Sequence, residues 1–460
     1  MAIESDVLVI GGGVAGVTSA VAAAREGADV RLVSHKKSTL RQASGLVDGL
    51  GFVPSRSSDA DRSTYLSQER QDFREVRAAR DAYQGPLQTP YEGFDLLPAD
   101  HPYSLVGEGA LREGLSLFDD LVGDLYLGSH TDRNALIPTF GGSVKPTARY
   151  PRAAAAGVAS DDRPMLVVGF RSLSDFDARM VAERIDALGV PFAVSGAEVP
   201  FAEAFRADAK ITRLARALDL DEHIDGTPAR QALVDAVEPH IGGAERVGFP
   251  ALLGDDEAAD VRRDIGDRLG VEVFEIPMGP PSLPGLRLED ALFEALDAEG
   301  VRFETGLPVV GFEPTADGRA IETVLVDRKG SEVPYAARSF VLAAGGLVGK
   351  GLDSDRAGVR EPIFDCYVPQ PADRYDWFVD DAFGDHPYAR FGVRPDARMQ
   401  PLDDAGDPEF GNLYAAGSVV GGADVAREKS ASGVSLATGL VAGRHAAGAS
   451  TTGPSTVTRN

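Results

Sequence analysis

The opening of the chain constrains its fold more than any other stretch. Asp6-Val-Leu-Val-Ile-Gly11-Gly-Gly13-Val-Ala-Gly16-Val-Thr-Ser-Ala runs from an apolar strand through a glycine-rich turn into a helix of small residues. A bare Gly-x-Gly-x-x-Gly says little, but between a strand and a helix it is a phosphate-binding turn. Gly11 allows the sharp reversal, Gly13 lets backbone approach a phosphate, and Gly16 lets the helix close on the strand. The helix, with Val14 and Ala15 in its first turn, presents free amides and a positive dipole end to the anion. A second apolar run, Ala28-Asp-Val-Arg-Leu-Val33, completes a right-handed βαβ unit.

The end of that second strand lacks the carboxylate that binds an adenosine ribose, expected about 20 residues beyond the glycines. Ser34 holds the place, followed by His35, Lys36 and Lys37. A dinucleotide site without its acid either holds adenosine differently or holds a ligand without adenosine. Basic neighbours such as Lys36 suit an extra phosphate, as in flavin mononucleotide or a 2′-phosphorylated nucleotide. Taken singly, Lys36 and Lys37 read as solvated loop charges.

The chain has 460 residues, which favours two domains over a single core. Its formal net charge is −25, and only seven of its 46 basic residues are lysines. That balance argues against nucleic-acid binding, which needs a basic face. The acids are dispersed (Asp161-Asp162, Asp219 to Glu222, Asp255 to Glu257, Asp403-Asp404), as on proteins of a high-salt cytoplasm where screening relieves self-repulsion. Cys366 is the only cysteine, so the chain makes no internal disulfide, no Cys-liganded zinc site and no iron–sulfur cluster of its own. None of the seven histidines shows metal-ligand spacing, and no metal is expected. Residues 1–6 hold no basic n-region, and no run of about 18 apolar residues suggests a span. The expectation is a cytoplasmic protein that lies at the inner face of the cell membrane only through a partner.

The predicted fold class is α/β: a Rossmann-like flavoprotein with a parallel sheet and an inserted second α/β domain. Residues 1–154 and 286–450 read as one discontinuous domain, 155–285 as the insertion, and 451–460 as a disordered tail. Within the first, 55–90 reads as a polar excursion of short helices with Arg56 to Arg80 solvated, 107–123 as a helix and Pro138 to Thr147 as an irregular loop. In the insertion, strands are predicted at 165–169, 190–194 and 246–252, and helices at 175–188, 208–218, 228–237 and 258–269. A helix at 288–299 and a strand at 301–305 return the chain to the first domain.

Two later segments repeat the opening's chemistry. Phe340-Val-Leu-Ala-Ala344-Gly345-Gly346 is a strand ending in Ala-x-Gly, as where two-dinucleotide flavoproteins return to their first sheet. Gly411-Asn-Leu-Tyr-Ala-Ala-Gly417-Ser418-Val-Val-Gly-Gly422 precedes a small-residue helix beginning at Gly433-Val434. A helix N-terminus near a flavin's N1 and C2 carbonyl stabilises the charge that develops on reduction. Ser418 stands where many flavoproteins place an acid for the ribityl chain. Three such segments in this order point to one flavin site.

The match goes further. Ser44-Gly45, His101-Pro-Tyr-Ser-Leu105, Pro280-Pro-Ser-Leu-Pro-Gly-Leu-Arg287-Leu, Arg360-Glu-Pro-Ile363, Phe391-Gly-Val393 and Asn412 to Gly422 resemble the B-subunit family of anaerobic glycerol-3-phosphate dehydrogenase. The resemblance implies a flavin mononucleotide subunit paired with a sister flavoprotein and an iron–sulfur membrane-anchor subunit. Together these oxidise sn-glycerol 3-phosphate to dihydroxyacetone phosphate and feed the quinone pool. The intact glycine turn favours FAD, whereas Ser34 and the resemblance favour FMN, which is the reading adopted. Oxidising a secondary alcohol on a flavin needs a base and cations for the phosphate. Arg287, Lys145, Arg360 and Arg394 are the candidate phosphate binders, with ion pairs to the abundant acids as the structural alternative. His101 is the candidate base and His445 the next, although His101 equally suits a turn cap before Pro102. Ser44 and Gly45 are expected beside the isoalloxazine ring. Two other readings stay open: a stand-alone FAD-dependent oxidoreductase acting on another substrate, and an electron-relay subunit without a substrate site.

Overall fold

The computed structural model describes residues 2–36, 39–55, 83–201, 211–382 and 384–451. Lys37, most of the 55–90 excursion (all of 56–82) and the tail beyond 451 lie outside the described residues. The chain divides into two compact units, one of Met1–Thr39, Asp48–Leu121 and Leu292–Asn460, the other of Leu40–Val47 and Val122–Ala291. The second unit therefore takes in 40–47, 122–154 and 286–291 besides the expected 155–285.

The first unit is built on a seven-stranded sheet. Its strands run in the order Arg302–Thr305, Val30–Ser34, Ile3–Ile10, Glu332–Leu342, Ile321–Asp327 and Val309–Pro314, and Leu413–Ala415 also pairs with Glu332–Leu342. Val9 lies opposite Leu32 on one side and Val341 on the other, both in parallel register. Leu8, Val9, Leu32, Val341 and Leu342 are fully buried, as expected of parallel strands covered on both faces. The helix Val14–Arg25 packs on the closing helix Ala431–Thr451. The approach is tight because small residues face each other: a Cβ on Gly443 would stand 2.3 Å from the Ser19 carbonyl oxygen. The helix predicted at 107–123 starts earlier, at Pro102, and is broken at Gly107, which has φ +81.

The second unit carries a four-stranded parallel sheet in the order Val194–Val199, Met165–Phe170, Arg246–Pro250, Glu272–Ile276. The helices Ala178–Asp186, Ile211–Asp219, Ala229–Val237 and Ala258–Leu269 alternate with these strands along the chain. The strand expected at 190–194 in fact begins at Val194. Its Ser195-Gly196-Ala197-Glu198 sequence hides the signal, because tertiary contacts choose those residues. A Cβ on Gly196 would meet the Ala178 carbonyl oxygen at 2.4 Å, and Glu198 accepts the Ala178 N–H at 2.7 Å. The stretch read as an irregular loop is a hairpin, Ala135–Pro138 against Val144–Thr147, reversed through Gly142 at φ +73. Arg246 has no exposed surface and donates to the carbonyls of Ala156 at 2.9 Å, Val158 at 3.0 Å, Asp161 at 2.6 Å and Arg163 at 3.0 Å. One buried cation thus satisfies four carbonyls of the irregular 156–163 stretch.

Candidate functional site

The first unit brings the three glycine-rich segments together. Gly11, at φ +123, stands so close to the Glu332–Leu342 strand end that a Cβ there would lie 2.1 Å from the Ala343 carbonyl oxygen. Gly16 closes the turn from the helix side, where a Cβ would fall 1.9 Å from the Gly11 carbonyl oxygen. Gly13 differs: a Cβ on it would meet nothing within 4 Å, so the space before the helix is open. Gly13 is the helix N-cap, no side chain caps it, and the first turn of Val14, Ala15 and Gly16 holds no acid. Open space before unneutralised helix amides is what an anionic phosphate requires.

The other two segments close around this turn. Gly417, at φ +75, lies against the helix start, with Ala15 Cβ 2.6 Å from where its own Cβ would be, and its N–H donates to Thr438 Oγ1 at 2.9 Å. Gly346 packs on the Ser418 carbonyl, and the Ser418 side chain is exposed beside it. Ala344 is half-buried at the strand end, and Gly345 has φ +92. Gly433 and Val434 lie in the first turn of the closing helix, Val434 buried and Gly433 against the Tyr103 hydroxyl and the Gly49 carbonyl. At the second strand's end, Ser34 turns its hydroxyl to the Lys36 carbonyl at 2.7 Å, and Lys36 is exposed. Ser34 places a neutral hydroxyl, not a carboxylate, at this strand end.

The expected general base is a structural cap. His101 is fully buried, and its Nδ1 accepts the Tyr103 N–H at 3.0 Å. Its Nε2 lies 3.1 Å from Glu428 Oε2, so the ring carries its proton there and donates to the carboxylate. Glu428 also accepts from Ser430 Oγ at 2.8 Å and from the Asp424 N–H at 3.0 Å. Its carbonyl receives the N–H groups of Gly51 and Phe52. Tyr103 donates to the Gly49 carbonyl at 2.6 Å, and burial, helped by Glu428, pushes its phenol well above the usual range. His101, Tyr103 and Glu428 therefore tie three chain segments into one node. His445 stacks on Tyr414 with ring centroids 6.4 Å apart, and burial lowers its pKa.

The candidate phosphate binders fall in both units. Arg287 belongs to the second unit, where Nη1 donates to Glu275 Oε2 at 2.6 Å and Nη2 to Glu275 Oε1 at 3.1 Å and to the Gly254 carbonyl. Burial works against that charge, yet Glu275 outweighs it and the guanidinium's pKa is raised. The fork expected to receive a phosphate receives a carboxylate. Lys145 sits in the hairpin of the second unit, opposite Ile137. Arg394, in the first unit, donates to the Asp403 carbonyl at 2.5 Å and lies over the Tyr367 ring. Arg360 is exposed in the same unit. Its neighbour Glu361, which sequence reasoning missed, is fully buried and accepts the N–H groups of Ile363 and Phe364, each at 2.8 Å. Burial raises its carboxyl's pKa.

Ser44 and Gly45 lie in the second unit with the Pro-Pro-Ser motif. Ser44 Oγ accepts the Leu46 N–H at 3.4 Å, and Gly45 packs on Pro284, 2.6 Å from its would-be Cβ, while Tyr126 donates to its carbonyl at 2.7 Å. Ser282 N–H donates to the Arg41 carbonyl at 3.1 Å. These two motifs, far apart in sequence, are thus one packing unit. Among the described residues no helix is long and apolar enough to cross a membrane.

A glycine cradle of this kind on a largely parallel sheet defines a nucleotide-binding fold, and the family model described as "FAD binding domain", which matches residues 6–434, makes the chain a flavoprotein. The probable anaerobic glycerol-3-phosphate dehydrogenase B-subunit of Halobacterium salinarum is 53% identical over 97% of this chain and 99% of its own length. The corresponding anaerobic glycerol-3-phosphate dehydrogenase B-subunit of Yersinia enterocolitica is 29% identical over 95% of this chain and 96% of its own. Among solved structures, the open conformation of a flavocytochrome c3 fumarate reductase aligns over 97% of this chain and 79% of its own, at 13% identity and a TM-score of 0.42. The chain belongs to the FAD-binding-domain flavoproteins and, within them, to the B-subunit family of anaerobic glycerol-3-phosphate dehydrogenase.

Proposed function

We propose that this chain is the flavin mononucleotide subunit of a complex that oxidises sn-glycerol 3-phosphate to dihydroxyacetone phosphate. Electrons leave through a sister flavoprotein and an iron–sulfur membrane-anchor subunit to the quinone pool. The observation that carries the reading is the convergence of Gly11–Gly16, Gly345–Gly346 and Gly417–Ser418 around an open helix N-terminus, in a chain so similar to dehydrogenase subunits. When bound, the flavin supplies a two-electron acceptor for the carbinol C–H. The chain's part is to hold the phosphate at the amides of Val14, Ala15 and Gly16, with Ser418 facing the ribityl chain. The mononucleotide is supported by Ser34, a neutral residue where an adenosine site needs an acid.

A second reading is favoured by His101 and Arg287, both engaged within the protein. It makes this subunit an electron relay, with the alcohol oxidised on the sister subunit. Arg360, exposed in the flavin unit, then separates the two. In the assembled complex, Arg360→Ala raises KM for glycerol 3-phosphate about tenfold or more if the substrate binds here, the scale of a lost charge-assisted contact. An unchanged KM favours the relay. Heat release and chromatography test the cofactor: FMN is expected, FAD alone would replace it, and a colourless chain that reconstitutes with neither flavin would overturn the site.

A further inference from the structure

The described residues 373–382 and 384–390 present apolar side chains that an otherwise acidic surface does not explain. Tyr375 is 72% exposed, Phe378 45%, Val379 43% and Tyr388 45%. Their backbone is tied down. Trp377 packs edge-on against Phe391 with centroids 5.7 Å apart and donates through Nε1 to the Pro371 carbonyl at 3.0 Å. Val379 N–H donates to His386 Nδ1 at 3.2 Å, and the His386 ring stacks on Tyr388 at 5.4 Å. The platform is also joined to the flavin turn. Two residues past Phe391, Val393 N–H donates to the Val419 carbonyl at 2.8 Å, and Val393 bridges to Val420 in parallel. Exposed Asp373, Asp376 and Asp380 flank these side chains in sequence, and Arg374 lies over the Tyr375 ring at 5.7 Å.

Exposed aromatic side chains on a tied-down backbone, with mostly acidic residues beside them, are the anatomy of an interface core, because apolar surface left in water is costly. We propose that this face docks the sister flavoprotein, the first electron acceptor in the proposed path, through a partner surface that is apolar at its centre and basic at its edge. The inference rests on the reading of the chain as a subunit. Its attachment to the Gly417–Gly422 turn places the docked partner on the element that holds the flavin.

The test co-expresses the full chain with its two sister subunits and follows the complex by size-exclusion chromatography and light scattering. Tyr375→Ser with Phe378→Ser should keep wild-type flavin content and melting temperature but weaken assembly at least ~tenfold, as removal of interface anchors does. Asp376→Lys with Asp380→Lys should weaken it with the apolar centre intact. If the wild-type chain assembles and both variants assemble equally well, the docking surface is overturned while the subunit reading stands. Failure of the wild-type chain to assemble would overturn the subunit reading and the proposal with it. A dimer of the chain alone, lost in the Ser variant, would assign the face to self-association and likewise overturn the proposal.

Discussion

His101 Nε2 lies 3.1 Å from Glu428 Oε2 while His101 Nδ1 receives the Tyr103 N–H, so both imidazole nitrogens are engaged inside the protein. A general base needs a lone pair open to substrate, and this ring offers none. His101→Ala is therefore expected to cost about 2 kcal/mol through a lost cap and a buried Glu428 carboxylate that keeps Ser430 and the Asp424 N–H but loses one donor. Activity per bound flavin in the assembled complex should hold, with an unchanged pH profile. A large fall in kcat with unchanged melting temperature would return His101 to the chemistry.

Arg287 and Glu275 lead to a similar expectation. The arginine side chain is only 11% exposed and its partner 1%. Arg287→Ala leaves Glu275 buried without its cation, and thermal or denaturant unfolding should show a loss of about 3–5 kcal/mol. Arg287→Lys should recover part of that, because a point charge cannot reproduce the fork. KM for glycerol 3-phosphate should stay at its wild-type value in whatever complex assembles. A KM raised tenfold without loss of stability would contradict this.

The glycine turn was legible in the sequence because its signals are local: strand, turn and helix follow within a few residues, and Gly11, Gly13 and Gly16 take the places their spacing assigns. Arg287 was not, because Glu275, which claims its fork, stands on a neighbouring strand and acids abound in this chain. His101 could be read two ways from Pro102 alone, and only Glu428, more than three hundred residues on, decides between them. The strand at Val194–Val199 escaped for the same reason, its Gly196 and Glu198 being chosen by a helix start rather than by the pleat. Short-range chemistry was readable, whereas the pairing of charges was a property of the folded chain.

Two glycines of the turn should therefore fail differently. Gly16→Ala forces a Cβ to within 1.9 Å of the Gly11 carbonyl oxygen. Overpacking against backbone costs about 1–3 kcal/mol, and both melting temperature and flavin content should fall. A Cβ on Gly13 meets no protein atom within 4 Å. Gly13→Val should thus leave the apo-protein's melting temperature within a few degrees of wild type, yet abolish flavin binding by filling the phosphate's place. Full flavin content in Gly13→Val would remove the turn from the site.

Asp161 gives the acid limb of stability a residue-level test. Its hydrogen bonds from Arg163 hold its pKa down at about 2, against an ordinary 3.8. A carboxyl whose folded pKa is depressed contributes stability above its unfolded pKa and loses it as pH falls through the folded value. The contribution is therefore complete above about pH 5 and declines between there and pH 2. Because the pair is partly solvated, its size should be nearer ~1 kcal/mol than the full shift would suggest. Asp161→Asn keeps the backbone carbonyl that Arg246 grips, so the comparison isolates the charge. The variant should be less stable than wild type at pH 7, and the difference should shrink as pH falls towards 2, read from paired denaturant titrations. A difference that stays constant with pH would mean that Asp161 acts through packing and not through its charge.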